Sequence, residues 1–148
     1  MSEVPVAAWP AVVPMVQYEN AEAAIAFLTA AFGFEERQRF VDGRGKVTDA
    51  ILSVPGGGVV MLGEGAPAYQ GPRRHRDGCE AARRWQDTPY IVDGVLVTVA
   101  DVDRQFATAR EAGAVILSEP EDTPHGRQCR MEDPEGHRWM LMSAPDGA

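Results

Sequence analysis

The stretch DPEGHRWMLM at residues 133–142 decides the fold, because PGGGVVMLG at residues 55–63 repeats its pattern. Both stretches contain a proline, a glycine two residues later, and the pair ML starting four residues after that glycine. Pro134 and Gly136 suit the second and fourth positions of a tight turn, where proline presets φ and glycine is favoured. The turn and the apolar residues after it predict a β-hairpin, and the copy predicts the same hairpin in the first half.

Three patterns recur in the same order in both halves of the chain. They are N-x-E-x-x-I from Asn20 and D-x-D-x-x-F from Asp101, the helix-ending glycines Gly33 and Gly113, and P-x-G-x-x-x-M-L from Pro55 and Pro134. Their offsets are 81, 80 and 79 residues. A slowly drifting offset is what small deletions leave in a diverged duplication, so the sequence predicts one module present twice.

Each half reads as a strand, a helix and three further strands. The predicted strands are residues 11–18, 34–41, 47–54 and 58–63, and then 94–100, 114–119, 126–132 and 137–143. Asn20 and Asp101 are the predicted N-caps of the two helices. A four-stranded sheet with one helix buries a single face. We therefore expect an α+β fold of two tandem βαβββ modules, with helices outside and curved mixed sheets enclosing a trough.

The predicted organisation has five segments. They are an N-terminal tail (1–10), the first module (11–64), a connection (65–91), the second module (92–143) and a C-terminal tail (144–148). The connection begins polar and rich in glycine and proline, and it contains a short helix for which Asp77 is the predicted cap.

Composition restricts the class of protein. A chain of 148 residues, 45% of them hydrophobic, is long enough to bury a core and has no apolar run of the length that spans a membrane. The N-terminus MSEVPVAAWP does not resemble a secretory signal, so a cytoplasmic location is expected. A formal charge of −8 disfavours nucleic acid as a partner.

Five of the fourteen cationic residues lie in the connection, and two cysteines stand fifty residues apart. The cations are Arg73, Arg74, Arg76, Arg83 and Arg84. Acidic residues interrupt them, which favours a solvated helix face over an anion site. Cys79 and Cys129 have no C-x-x-C partner and are expected to be free thiols, with Cys129 an apolar filler in a strand.

The duplicated βαβββ order resembles the vicinal oxygen chelate superfamily, which includes glyoxalase I, bleomycin resistance proteins and extradiol dioxygenases. The resemblance rests on NAEAAIAFLTAAFGFEE, GGGVVMLGE, GVLVTVADVDRQFATAREAGA and DPEGHRWML, and it covers about residues 11–143. It implies a metal site built from histidine or glutamate on the first and last strands of each module. It also implies a homodimer.

Carried over position by position, the implied metal-ligand sites fall near Val13 and Gly94 and at Met61 and Met140. None of these residues suits a hard divalent metal, which prefers imidazole or carboxylate. Shifting each strand by two residues gives no histidine or carboxylate either. His75, His125 and His137 have no paired-ligand spacing. We therefore expect no metal and no other cofactor, and the sequence does not favour an enzyme.

The inward faces of the predicted trough are mainly apolar. The predicted ligand-binding residues are Met15, Met61, Leu96, Met140 and Met142 as a soft wall, Gln17 and Thr98 as hydrogen-bonding groups, Asp49 as the one acid, and Trp85 as an aromatic cover. Tyr69 and Tyr90 could cover the mouth as well, or these aromatics could anchor the connection to the sheet. A trough filled as an ordinary core is the alternative.

Three functions remain open. The first is a metal-free binding protein that sequesters a hydrophobic or planar small molecule, such as an antibiotic, as bleomycin resistance proteins do. The second is a lyase, isomerase or dioxygenase of the same superfamily with non-standard metal or acid–base residues. The third is a fold retained for interaction or regulation. The missing ligands at four positions favour the first.

Overall fold

The computed structural model describes residues 9–88 and 93–144 and confirms the α+β class and the tandem βαβββ order. The elements are β1 (Met15–Tyr18), α1 (Ala21–Phe32), β2 (Glu35–Val41), β3 (Val47–Ser53), β4 (Val59–Glu64), α2 (Pro72–Gly78), α3 (Glu80–Gln86), β5 (Gly94–Thr98), α4 (Val102–Glu111), β6 (Val115–Thr123), β7 (Gly126–Glu132) and β8 (Arg138–Ser143). The chain divides into two units, up to Tyr69 and from Gln70. None of the helices in these residues is long and apolar enough to cross a membrane.

The first unit is a four-stranded sheet in the order β1-β4-β3-β2, with β1 parallel to β4 and the other pairs antiparallel. Helix α1 covers one face of this sheet, where Val16, Leu62 and Leu52 are buried. Alternate residues of a strand point to opposite faces, so these side chains leave Met15, Met61 and Ile51 on the other face.

The second unit repeats this arrangement in the order β5-β8-β7-β6, with β5 parallel to β8. Helix α4 packs on the face that buries Val97, Leu141 and Cys129. Trp139 has the opposite parity to Met140 and is buried on this side. The matching topology of the two sheets is what an internal duplication predicts.

The predicted helix signals operate as expected. Asn20 and Asp101 each accept a hydrogen bond at Oδ1 from a first-turn amide, of Ala23 at 3.0 Å and of Arg104 at 3.1 Å. Gly33 ends α1 in the left-handed region at φ 71°, a conformation that glycine adopts without steric cost.

Three predicted boundaries are wrong. Strand β1 begins at Met15 and not at residue 11, because Pro14 lacks an N–H and cannot donate to the ladder. Strand β6 extends to Thr123 beyond the predicted end at 119, and it tolerates Pro120 because it is an edge strand. Asp77 lies inside α2, and Cys79 precedes α3 in its place.

The predicted turn at residues 133–136 is organised by a buried carboxylate. Asp133 Oδ1 accepts hydrogen bonds from the amides of Glu135 at 3.1 Å and His137 at 3.0 Å, and its Oδ2 accepts one from Trp139 Nε1 at 3.1 Å. The Gly136 amide donates to the Asp133 carbonyl at 2.9 Å. Three N–H groups of the turn and the following strand donate to the carboxylate, so the Asp133 side chain stabilises the turn.

Helix α2 begins directly against this turn. The Arg73 amide donates to the Glu135 carbonyl at 2.9 Å, and a Cβ placed on Gly136 would lie 2.6 Å from the Arg73 nitrogen. Gly136 also has φ 93°. The glycine of the opening motif is therefore required twice, for its backbone conformation and for the close approach of α2.

We expect Gly136→Ala to destabilise the protein more than Gly113→Ala, by at least about 1 kcal/mol. Gly113 has φ 106° but no neighbouring atom within 4 Å, so its variant isolates the conformational cost. Gly43→Ala, which has neither constraint, is the neutral control. Urea unfolding of the three variants measures the difference, and equal losses at Gly136 and Gly113 would contradict the close approach of α2.

The two cysteines should differ in reactivity. Both are free thiols, Cys129 is fully buried, and burial raises the pKa of its thiol to about 11. A thiol reacts through its thiolate, so iodoacetamide at neutral pH should modify Cys79 in the folded protein and spare Cys129 until denaturant is added. Peptide mass mapping with and without urea measures this, and equal labelling in the folded state would contradict it.

Candidate functional site

Each sheet has one face opposite its helix, and these faces carry the predicted site residues. We term the side of the first sheet opposite α1 face 1, and the side of the second sheet opposite α4 face 2. Strand register arranges each face in rows across the strands. Face 1 has the rows Met15–Met61–Ile51 and Gln17–Gly63–Asp49. Face 2 has the rows Gly94–Arg138–Glu132, Leu96–Met140–Arg130 and Thr98–Met142–Gln128.

The apolar residues at the edges of these faces are accessible. Met15 is 66% exposed and Leu96 is 50% exposed, whereas Met61, Met140 and Met142 are half-buried. Gln17 and Thr98 are exposed, and Asp49 is half-buried. The structure therefore puts Met15, Gln17, Asp49 and Met61 on face 1, and the other predicted strand residues on face 2.

Val13 precedes β1, so Met15 is the residue beside Met61 on face 1, and Leu96 is the residue beside Met140 on face 2. Met15 and Leu96 lie two residues after Val13 and Gly94, within the range of positions considered from the sequence. The chemical conclusion is unchanged, since thioether and aliphatic groups replace the expected imidazole and carboxylate.

A hard divalent metal does not fit these faces. Within residues 9–88 and 93–144, no three His, Cys, Asp or Glu side chains are grouped as a metal site requires. Face 1 offers Asp49 as its one carboxylate in the two rows described, beside an amide and a glycine. Oxygen- and nitrogen-liganded metals need several converging donors. No chemistry through a metal is derived for this chain.

Face 2 contains a charged network that sequence reasoning missed. Glu132 is 1% exposed and accepts two hydrogen bonds from Arg76, at 2.9 and 3.1 Å, and one from Arg138 Nε at 3.1 Å. The hydrogen bonds that Arg76 donates to Glu132 raise the pKa of the Arg76 guanidinium above its ordinary value. A buried carboxylate is tolerated because it is paired on both sides.

The same network attaches the connecting helices to the sheet. Arg138 donates to the carbonyl of Gln86, the last residue of α3, and at 2.6 Å to the carbonyl of Thr88, two residues further on. Arg76 also donates to the side chain of Gln86 at 3.4 Å. The prediction that Arg76 belongs to a solvated helix face is therefore wrong. Arg76 of α2 and the end of α3 therefore bond to the first row of face 2, whereas Leu96 and Thr98 in the next two rows are exposed.

The aromatic residues of the connection have different roles. Tyr69 donates through its hydroxyl to the Gln17 carbonyl at 3.1 Å, so it anchors the connection to β1. Trp85 on α3 is 65% exposed, so its ring does not anchor the connection by packing. Tyr90 lies outside the described residues.

The chain is similar to known proteins in sequence and in fold. The profile described as the Glyoxalase/Bleomycin resistance protein/Dioxygenase superfamily matches residues 12–141. The uncharacterized protein Mb0911c of Mycobacterium bovis is 33% identical over 137 residues, which cover 89% of this chain and 82% of that protein.

Two solved structures show the same fold. TioX from Micromonospora sp. ML1 has a TM-score of 0.65 and 29% identity, over 90% of this chain and 97% of its own. TnmS3, an antibiotic binding protein from Streptomyces sp. CB03234, has a TM-score of 0.59 and 21% identity, over 91% of this chain and 97% of its own. With tandem βαβββ modules and a profile match over most of its length, the chain belongs to the Glyoxalase/Bleomycin resistance protein/Dioxygenase superfamily.

Proposed function

We propose that the protein binds a hydrophobic or planar small molecule, without a metal, on face 1 or face 2. The observation that carries the proposal is the pair of residues Met15 and Leu96. They occupy equivalent rows of the two sheets, where a metal site would have ligands, and both are large, apolar and at least half exposed. A sheet face that exposes such residues gains free energy when a ligand removes them from water, about 25 cal/mol per Å² of apolar surface.

The surroundings of these two residues suit a small ligand. Met61 and Met140, their neighbours in the rows, are flexible thioethers that adapt to ligands of different shape. Gln17 and Thr98 supply hydrogen-bonding groups in the adjacent rows. Mainly apolar walls with a few polar groups are typical of small-molecule sites.

The proposal takes an antibiotic as the first ligand class to test. TnmS3, which shares the fold, is described as an antibiotic binding protein. At 21% identity this likeness shows the fold alone, so the argument for binding rests on the residues of faces 1 and 2. In this proposal the protein sequesters its ligand and does not convert it.

A thermal-shift screen of aromatic antibiotics and metabolites, with and without a chelator, tests the function. We expect at least one compound to raise the Tm saturably, and the shift to survive the chelator. A ligand at one hundred times its Kd adds about 2.7 kcal/mol to the free energy of unfolding. Mass spectrometry after incubation should recover the compound unchanged. Stabilisation by divalent metal alone, or conversion of the compound, would contradict the proposal and favour an enzyme.

We expect Met15→Lys and Leu96→Lys each to weaken binding of a screened compound by at least about tenfold, because a charge placed against an apolar ligand must be desolvated. Ala30→Lys and Ala107→Lys add the same charge at exposed positions of α1 and α4, on the opposite sides of the same sheets. Isothermal titration measures the four affinities. Equal effects of the face variants and their controls would place the ligand elsewhere.

A further inference from the structure

We infer that face 1 recognises a positively charged group, so that the ligand is an apolar or planar amine held by the row Gln17–Gly63–Asp49. The inference rests on the proposed function and specifies the ligand class of that site. Its evidence lies in the first unit alone: a carboxylate that has no partner among the described residues, a glycine covered by an amide side chain, and a neighbouring aromatic ring.

Asp49 is the unusual residue of this face. Its position beside Gly63 and Phe40 puts it on the same face as Met61 and Ile51, which are apolar. It is half-buried, and within residues 9–88 and 93–144 it has no hydrogen-bond or ion-pair partner. A partly desolvated carboxylate on an apolar face favours the binding of a cation.

Three cations on β2 and in the turn before β3 are paired with other carboxylates. Lys46, three residues before Asp49, contacts Glu64 at 3.4 Å. On the neighbouring strand β2, Arg39 contacts Glu36 at 2.7 Å and also reaches Glu22 on α1. Arg37 contacts Glu35 at 2.6 Å.

Gly63 leaves room for a second acceptor beside Asp49. A Cβ placed on Gly63 would lie 2.7 Å from Gln17 Nε2 and 2.8 Å from Gln17 Oε1, so the Gln17 amide lies over this glycine. Neighbouring strands are about 4.8 Å apart, which brings the amide to the strand next to Asp49. An ammonium group has three donors and could bond to both side chains.

Phe40 supplies a third interaction at the other side of Asp49. It is the register partner of Asp49 on β2 and is 44% exposed. A cation within about 6 Å of an aromatic ring is attracted by the ring quadrupole. The adjacent row, with Met15 and Met61, can contact the apolar body of the same molecule. The formal charge of −8 adds a long-range attraction for cations.

Three naphthalene probes that differ in one group test the inference. They are naphthalen-2-ylmethylammonium, naphthalen-2-ylmethanol and 2-naphthoate. We expect the intact chain to bind the ammonium at least about fivefold more tightly than the alcohol, and the carboxylate most weakly. Isothermal titration at low salt measures the three Kd values, and the preference should shrink at high salt.

Asp49→Asn should remove the preference for the ammonium over the alcohol, and its urea unfolding curve checks that the variant is folded. Glu111→Gln removes one negative charge from the exposed end of α4 and should keep the preference. Equal affinity for ammonium and alcohol, or a preference that persists in Asp49→Asn, would overturn the inference while the bound alcohol upholds the proposed function. Failure of all three probes to bind would contradict both.

Discussion

The structure depends on one constraint, which is that a single helix covers one face of a four-stranded sheet. The face under the helix is closed by ordinary packing, with Leu62 and Leu141 fully buried at equivalent places in the two units. The opposite face must be covered by something else or meet solvent. Everything that distinguishes this chain lies on those opposite faces.

The two units differ in what contacts the face opposite the helix. In the second unit, Arg76 of α2 bonds to Glu132 in the first row of face 2, and Arg138 of β8 bonds to the same carboxylate. Removing one partner of such a buried group leaves an uncompensated charge, so the three residues depend on one another. In the described part of the first unit, no helix beyond α1 packs on the sheet. Met15 at the edge of face 1 is exposed, whereas Ile51 in the same row is fully buried.

The two hairpin turns show how a duplicated element acquires a new role. In both turns a residue before the proline bonds the backbone of the same loop: Val54 N to Gly58 O at 3.0 Å, and Asp133 N to His137 O at 2.9 Å. The backbone geometry is thus shared, but Asp133 adds a carboxylate that binds three N–H groups, whereas Val54 adds none. That extra anchoring accompanies the docking of α2 on the turn through Gly136.

Much of the fold could be predicted from the sequence because its signals are local. Caps such as Asn20 and Asp101, the glycine at position 33 and the turn prolines act within a few residues. The start of β1 was predicted four residues too early because apolar residues continue before Met15, and only Pro14 marks where the ladder stops. The network around Glu132 was missed because its partners are distant in sequence, with Arg76 on α2 and Arg138 on β8.

In the candidate site, too, the face of each strand residue could be predicted from the sequence, whereas contacts between distant residues could not. Sequence parity placed Met61, Met140 and Asp49 on the faces where the structure has them, but it could not show that Gln17 lies over Gly63 or that the cations near Asp49 are engaged elsewhere. These two facts give the site its specific chemistry. A bound metal ion compensates the negative charge of its carboxylate ligands. Without the metal those charges would repel one another, so neutral residues in their place stabilise the face. Met15, Met61, Leu96 and Met140 are neutral, and Asp49 is left as the acid whose charge a ligand can balance.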